Sequence, residues 1–300
     1  MKKIKVQIVN AFVDNNSGGN PAGVVLNADN LSYDEKLEIT SKVGLSETAF
    51  VSKSTVADFK LDFFTPIRQI AHCGHATIAT FSYLKQRNFL SHKFSSKETI
   101  DGVRKIQIEG DLAFMEQLPP KFVNVSHKQD LILKSIGLNA NDLLPNAPIQ
   151  LVNTGNSFII IPLKSAKTLE KAIPDFDLIS EISVEFDLIG YYIFTQDPNC
   201  PDRDATTRMF APIYGILEEA ATGMAAGTLA CYLYNTMNLK KAKYLIQQGK
   251  FMQIPSSSLI IVGITTENEK IKSIMAGGKG SLIGEVEVEY QTKLDTHHAN

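Results

Sequence analysis

Three hundred residues with 44% apolar side chains supply two hydrophobic cores of ordinary size, and a formal charge of −2 offers no surface for a polyanion, which excludes nucleic acid as a partner. No apolar run reaches the ~18 residues of a membrane span, and Met1-Lys2-Lys3-Ile4-Lys5 leads directly into a strand instead of a signal peptide, so no membrane partner is expected. Three cysteines, an odd number without framework spacing, suit a reducing, cytoplasmic setting.

Ile4, Val6 and Ile8 alternate along a first strand, Lys3 to Val13. Asp14 to Asn20 is a turn-rich loop, and its Gly18-Gly19 pair fits neither a dinucleotide nor a nucleotide fingerprint. Ser32 to Val43 reads as an amphipathic helix, with Ser32 as N-cap and Glu35 completing a capping box. That helix ends near Gly44 and a strand starts at Thr48, which leaves Glu47 at a boundary inside the apolar run Leu45 to Val51. Glu47 there is either a strand-edge residue in solvent or a carboxyl tucked into a cleft. In a cleft, desolvation would raise its pKa toward neutrality and make it a proton shuttle.

Ala57 to Phe63 alternates as a strand and delivers the chain to Phe64–Leu84, around which the rest is organised. A Pro66 turn leads to Cys73-Gly74-His75 and then to a helix, Ala76 to Gln86, apolar on nearly all sides. Gly74 permits close backbone approach, and a helix start presents unpaired N–H groups and partial positive charge. The cluster is either an anion site, most simply for a carboxylate, or a helix start that merely packs. Strands at Lys93–Phe94, Val103–Glu109 and Leu112–Gln117 follow, and Pro119-Pro120 marks a crossing.

Beyond it come a short helix from Asp130 to Ile136, strands Leu151–Asn153 and Phe158–Pro162, helices near Thr168–Ala172 and Asp175–Ser183, and strand Tyr191–Thr195. Asp197, Asn199 and Asp204 suggest a calcium loop, which fails because Asp202 and Arg208 stand where Gly and Glu are required. Strand Met209–Pro212, helix Met224–Met237 and strands Ala242–Gln248, Ser258–Ile264, Ile271–Ala276 and Ser281–Val288 complete the pattern. Gly277-Gly278-Lys279-Gly280 reads as a tight connection between the last two. His297-His298 lies in a polar tail.

The chain carries its central device twice. Phe210-Ala211-Pro212 repeats Phe64-Thr65-Pro66, Thr222-Gly223-Met224-Ala225 repeats Cys73-Gly74-His75-Ala76, and Tyr232-Leu233 repeats Tyr83-Leu84. Two related halves with a glycine-headed helix each would bring those helix starts to one interdomain cleft. The groups then on offer are Glu47, His75, Glu218, Glu219, Thr222 and the N–H groups around Gly74 and Gly223. Helix N-termini stabilise a carboxylate or a developing enolate-like charge while a carboxyl or imidazole moves the proton. This describes cofactor-free proton transfer beside a carboxylate on a small molecule. The histidines have neither His-x₃-His nor Cys-x₂-Cys company, so no metal is expected.

The chain resembles the phenazine-biosynthesis isomerase family (PhzF-like), relatives of diaminopimelate epimerase and proline racemase. The resemblance rests on Gly19-Asn20-Pro21-Ala22-Gly23-Val24, Ser46-Glu47-Thr48-Ala49-Phe50, Phe64-Thr65-Pro66 with Cys73-Gly74-His75-Ala76-Thr77, and Phe210-Ala211-Pro212 with Gly215-Ile216 and Thr222-Gly223. It extends to Gln248-Gly249 and Gly277-Gly278. It implies an α+β fold of two pseudo-symmetric domains, each a curved, mostly antiparallel sheet or barrel around a central helix. On this reading residues 1–118 and 119–284 form the two domains, with a last strand at about 285–295 returning to the first. Family members are homodimers and need no cofactor. By the same resemblance Glu47 is the proton-transferring glutamate and His75 the active-site histidine, while Asn20, Gly74, Glu219, Thr222, Gly223 and Met224 contact the substrate.

The chain departs from the pattern at Glu219 (Asp in the isomerases), Ala220 (Pro), Met224 (Ser) and Gln253-Ile254 (Gly-Arg). The epimerase relatives use one thiol in each half. Cys73 stands in the first place and reads as a small buried helix-start residue, while Thr222 stands in the second. The expected function is an isomerase acting on a small carboxylate-bearing metabolite. The alternatives are an amino-acid epimerase or racemase of the same fold, and a non-catalytic metabolite binder.

Overall fold

The computed structural model describes residues 2–196 and 200–291. Asp197 and Asn199 of the rejected calcium loop, and His297-His298, lie outside the described residues. The chain forms two compact units, one of residues 2–11, Pro21–Ala113 and 280–291, the other of Phe12–Asn20 and Phe114–Lys279. Among the described residues no helix is long and apolar enough to cross a membrane.

The strands and helices of the first unit run in order β1 (Lys2–Ala11), β2 (Asn20–Val25), α1 (Tyr33–Val43), β3 (Thr48–Ser52), β4 (Phe59–Phe64), β5 (Gln69–Ile70), α2 (Gly74–Gln86), β6 (Phe94–Thr99) and β7 (Gly102–Glu109), and β8 (Leu112–Gln117) begins in it and ends in the second. The capping box of α1 is formed as its sequence dictates. Glu35 N–H donates to Ser32 Oγ at 3.2 Å, Ser32 N–H donates to Glu35 Oε2 at 2.8 Å, and Gly44 ends the helix at φ 72°.

The second unit continues with β9 (Lys121–Asn124), α3 (Gln129–Lys134), β10 (Gln150–Asn153), β11 (Ser157–Pro162), α4 (Ala166–Lys171), α5 (Phe176–Glu185), β12 (Gly190–Thr195), β13 (Ala205–Phe210), α6 (Gly223–Asn235), β14 (Lys243–Gln248), β15 (Ser258–Glu267) and β16 (Lys270–Tyr290).

In the first unit the order β1-β2-β3-β4-β6-β7-β8-β16, with β1 also paired to β16, closes an eight-stranded barrel. A closed barrel leaves no unpaired edge, and its interior must be filled. The filling is α2, buried at every residue from His75 to Leu84 and packed on β1 and β3. This is why its sequence is apolar all round. Outside the barrel α1 covers a second, smaller core that includes Val6, Ile39, Phe50 and Phe64.

In the second unit the strand order is β15-β14-β13-β12-β11-β10-β9. Helix α6 packs on β15 near one end of that order and on β10 and β11 near the other, so the sheet curls around it. Strand alternation separates two layers. Phe194 on β12 meets Tyr232 of α6 at 5.7 Å between ring centroids, while Tyr191 and Ile193 face Ile132, Leu169, Ile179 and Ile182 under α3, α4 and α5.

The closing strands differ from the sequence expectation. Gly277 to Gly280 make no turn, and β16 is one strand of 21 residues. Its first part pairs with β15 in the second unit, and the part from Gly280 to Tyr290 pairs with β1 in the first. The glycines serve close approach and not reversal. A Cβ on Gly278 would lie 2.9 Å from the Leu259 carbonyl oxygen and 2.9 Å from Phe12 Cδ1, and one on Gly280 would lie 2.5 Å from Ser82 Cβ.

Candidate active site

In the first unit the end of β4 and the start of α2 are joined by a turn in which Thr65 Oγ1 and N–H both bond the Arg68 carbonyl. Cys73 precedes α2 in extended conformation without capping it, and Gly74 is the first helical residue. Pairing of β2 with β3, through a hydrogen bond from Gly23 N–H to the Glu47 carbonyl at 3.0 Å, sets Glu47 at the end of the barrel. Its side chain turns inward. Glu47 is 6% exposed and its Oε2 lies 3.2 Å from His75 Nε2, so it is buried and not at a solvent edge. The other ring nitrogen, Nδ1, faces Cys73 Sγ at 3.5 Å.

Burial alone would push the Glu47 carboxyl up, as its sequence position suggested. The charge and hydrogen bond of His75, with a hydrogen bond from Ser46, outweigh burial and hold it below the ordinary carboxylate range. Burial likewise opposes a charged His75, and the Cys73 sulfur and the Glu47 carboxylate raise it well above the ordinary imidazole range. Burial pushes the Cys73 thiol up. Two neighbouring groups are thus driven apart, one toward the anion and one toward the cation.

Carboxylate, thiol and imidazole lie within 4.8 Å of one another, a donor set that includes metal-binding groups. The carboxylate lies against Nε2 and the sulfur against Nδ1, the two different nitrogens of one ring. The arrangement is a buried cluster of three titratable groups in contact.

In the second unit Asn20, Glu219 and Thr222 come together. Asn20 Nδ2 donates to Glu219 Oε1 at 3.0 Å and to the Ala221 carbonyl at 3.0 Å, and the Thr222 hydroxyl donates to Glu219 Oε2. Gln248 at the end of β14, which the site reading from sequence omitted, clamps this turn. Its Nε2 donates to the Glu219 carbonyl at 2.7 Å and to Thr222 Oγ1 at 3.1 Å, and its Oε1 accepts from Thr222 N–H at 3.0 Å and Tyr192 OH at 2.9 Å. The Gln248-Gly249 pair was its signal.

Gly223 opens α6 against Phe12, whose Cζ would lie 3.0 Å from an added Cβ. Phe12 is fully buried and holds φ at 62°, a strained value for a large residue. Met224 is half-buried, with its methyl 3.9 Å from where a Cβ on Gly155 would stand. Glu218, expected among the site groups, is committed elsewhere. It pairs with Arg208 through Nε–Oε1 at 2.8 Å and Nη2–Oε2 at 2.9 Å, and Arg208 also donates to the Ala172 carbonyl.

Residues 9–285 match the family described as phenazine biosynthesis-like protein (PhzC-PhzF). The chain belongs to this family. Among PhzF-like relatives, the uncharacterized isomerase YfhB of Bacillus subtilis (strain 168) is 33% identical over 256 residues, covering 83% of this chain and 87% of the relative. The trans-2,3-dihydro-3-hydroxyanthranilate isomerase of Pseudomonas chlororaphis is 28% identical over 284 residues, 92% of this chain and 96% of that enzyme. The crystal structure of a PhzF-family phenazine biosynthesis protein from Bacillus anthracis superimposes with a TM-score of 0.87 at 29% identity, covering 97% of this chain and 100% of that one. The chain is therefore an isomerase of the PhzF family, and its α+β barrel architecture is that of the family's solved structures.

Proposed function

We propose that this isomerase moves a proton within a small carboxylate-bearing metabolite by acid–base chemistry, without a cofactor. The observation that carries the reading is the buried contact between Glu47 and His75 at 3.2 Å. An ionised carboxylate is the form a base needs, and a protonated imidazole is the form an acid or an electrostatic stabiliser needs. Glu47 takes a proton from carbon, the charge spreads toward the substrate carboxylate, and His75 with the first-turn amides at Gly74 stabilises it until the proton returns at a second carbon. In this reading Asn20, Glu219, Thr222 and Met224, with the amides at Gly223, hold the remainder of the substrate, and both clusters serve one interdomain cleft. The three cysteines are free, Cys73 and Cys231 buried and Cys200 half-buried, in keeping with a reducing cytoplasm. A homodimer without nucleic-acid or membrane partners is the expected assembly, to be measured by sedimentation.

A two-thiol epimerase is disfavoured. Thr222 occupies the place symmetric to Cys73, and Cys231 is fully buried within α6, where burial raises its thiol far above the usual range. The test is a thermal-shift screen of carboxylate metabolites, followed by NMR of each hit incubated with the protein in D₂O. Deuterium entering the ligand with migration of a double bond supports the reading. Ligands that bind without exchange make the protein a binder, and exchange with inversion at one carbon makes it an epimerase.

A further inference from the structure

We infer that Lys97 is a positioning residue of the candidate site, its buried amine fixing the turn on which Cys73, Gly74 and His75 stand. The inference rests on the site proposed above. Lys97 lies on β6 with its side chain inside the barrel and is 0% exposed. Among the described residues no carboxylate lies within ion-pair distance of it. Lysine is almost never buried in this way, and an apolar side chain would fill the same space without a desolvation cost.

What Lys97 reaches is the start of α2. Its Nζ donates to Thr77 Oγ1 at 2.6 Å, and the Thr77 hydroxyl donates to the Cys73 carbonyl at 2.6 Å, the same oxygen that accepts Thr77 N–H at 3.2 Å. Nζ also lies 3.3 Å from His72 Nδ1 and 4.9 Å from the centroid of Phe63, whose ring meets the His72 ring edge-on. One amine thus ties strand β6 to the residue before Cys73, to the Cys73 carbonyl and to the first turn of α2.

The groups that face it are His72 and Cys73 from that turn, Arg104 across the β6–β7 pair, and Asp101 in the connecting turn. Burial lowers the Lys97 amine to about 7, with Cys73 and Asp101 raising it and Arg104 lowering it. Burial and the charges of Lys97 and Arg104 hold His72 well below the ordinary imidazole range.

The experiment uses the full chain as Lys97→Met, Thr77→Val and Thr77→Ser, with two readouts that need no substrate: amide hydrogen exchange in the first turn of α2, and the titration of His75 followed by its ring ¹³C shift. Lys97→Met and Thr77→Val should each speed exchange of the Thr77 amide at least tenfold and displace the His75 titration. Thr77→Ser, which keeps the hydroxyl, should match the parent, and the double variant Lys97→Met/Thr77→Val should be no worse than either single change. In the parent itself, the His75 shift should show a second inflection at the pH where the Lys97 ¹⁵Nζ signal titrates. Parent-like exchange and titration in folded Lys97→Met or Thr77→Val overturn the inference. Where neither variant folds, absence of the second inflection in the parent overturns it. These readouts hold or fail whether or not turnover is found, so they are separable from the isomerase reading.

Discussion

Glu47→Gln replaces one carboxylate oxygen by an amide nitrogen at nearly constant volume, so it removes charge and basicity from a side chain that is 6% exposed while leaving its packing in place. At 3.2 Å and an effective dielectric of about 20, the attraction between Glu47 and His75 is roughly 5 kcal/mol before desolvation. Removing both groups from water offsets most of that. With the carboxylate gone His75 keeps Cys73 and loses one of the groups that raise its pKa, and the net loss of stability is about 1–3 kcal/mol.

The loss depends on pH. Glu47 has a lowered folded pKa, so its contribution is present above its ordinary 4.5 and is lost as pH falls through the folded value. His75 has a raised folded pKa, so its contribution is full below its ordinary 6.5 and is lost as pH rises through the folded value. Parent and variant therefore differ most between those two ordinary values, and the gap closes on the alkaline side. Urea unfolding across the pH range measures this. With a substrate in hand, deuterium exchange should fall ~10²–10⁴-fold, about 3–5 kcal/mol of barrier, with ligand affinity retained. Full exchange in Glu47→Gln refutes the base assignment, and a stability gap independent of pH refutes the ion pair.

Three further outcomes follow from the same structure. Glu219→Asp with Met224→Ser shortens the carboxylate now held by Asn20 and Thr222 and replaces an apolar side chain by a hydroxyl, so turnover of trans-2,3-dihydro-3-hydroxyanthranilate should rise at least tenfold over a weak parent, the worth of one recovered hydrogen bond at about 1–3 kcal/mol; a parent that already equals the variant removes these positions from specificity. Because acid–base proton transfer by Glu47 and His75 calls for no metal, turnover should survive dialysis against EDTA, and a stoichiometric metal by elemental analysis whose removal stops the reaction would contradict that mechanism. Gly280→Ala, whose new methyl would stand 2.5 Å from Ser82 Cβ, should lower stability by about 1–3 kcal/mol in urea unfolding, and Ser82→Gly in the same chain should recover part of it.

What was legible in the sequence is what local chemistry decides. The capping box of Ser32 and Glu35, the αL glycine at Gly44 and the all-apolar faces of α2 and α6 need only near neighbours and the solvent to be specified. The repeat of Phe-x-Pro and the glycine-headed helix exposed the pseudo-symmetry. What sequence could not decide is pairing at a distance. Glu47 was ambiguous until β3 placed it against His75, and no local signal distinguishes Glu218, which turns to Arg208, from Glu219, which turns to Asn20. The run Gly277 to Gly280 has the composition of a turn, yet none of its glycines has positive φ, because what it answers to is crowding by Phe12, Leu259 and Ser82. Lys97 lies beyond the strand Lys93–Phe94 expected from sequence, and nothing local shows that the strand face it occupies in β6 meets a helix start.

The two helix starts are related in sequence and different in chemistry. The first places a carboxylate and a thiol against the two nitrogens of one imidazole, three titratable groups in contact. At the second, the Thr222 amide donates to Gln248 and the Thr222 hydroxyl to Glu219. A racemase that attacks a stereocentre from two sides needs a base on each side. An isomerase that lifts a proton from one carbon and returns it to another on the same face needs one base and a rigid seat for the rest of the molecule. The two helix starts repeat one motif, and in the proposed reading only the first carries an acid–base pair among the described residues. That asymmetry supports proton migration over inversion.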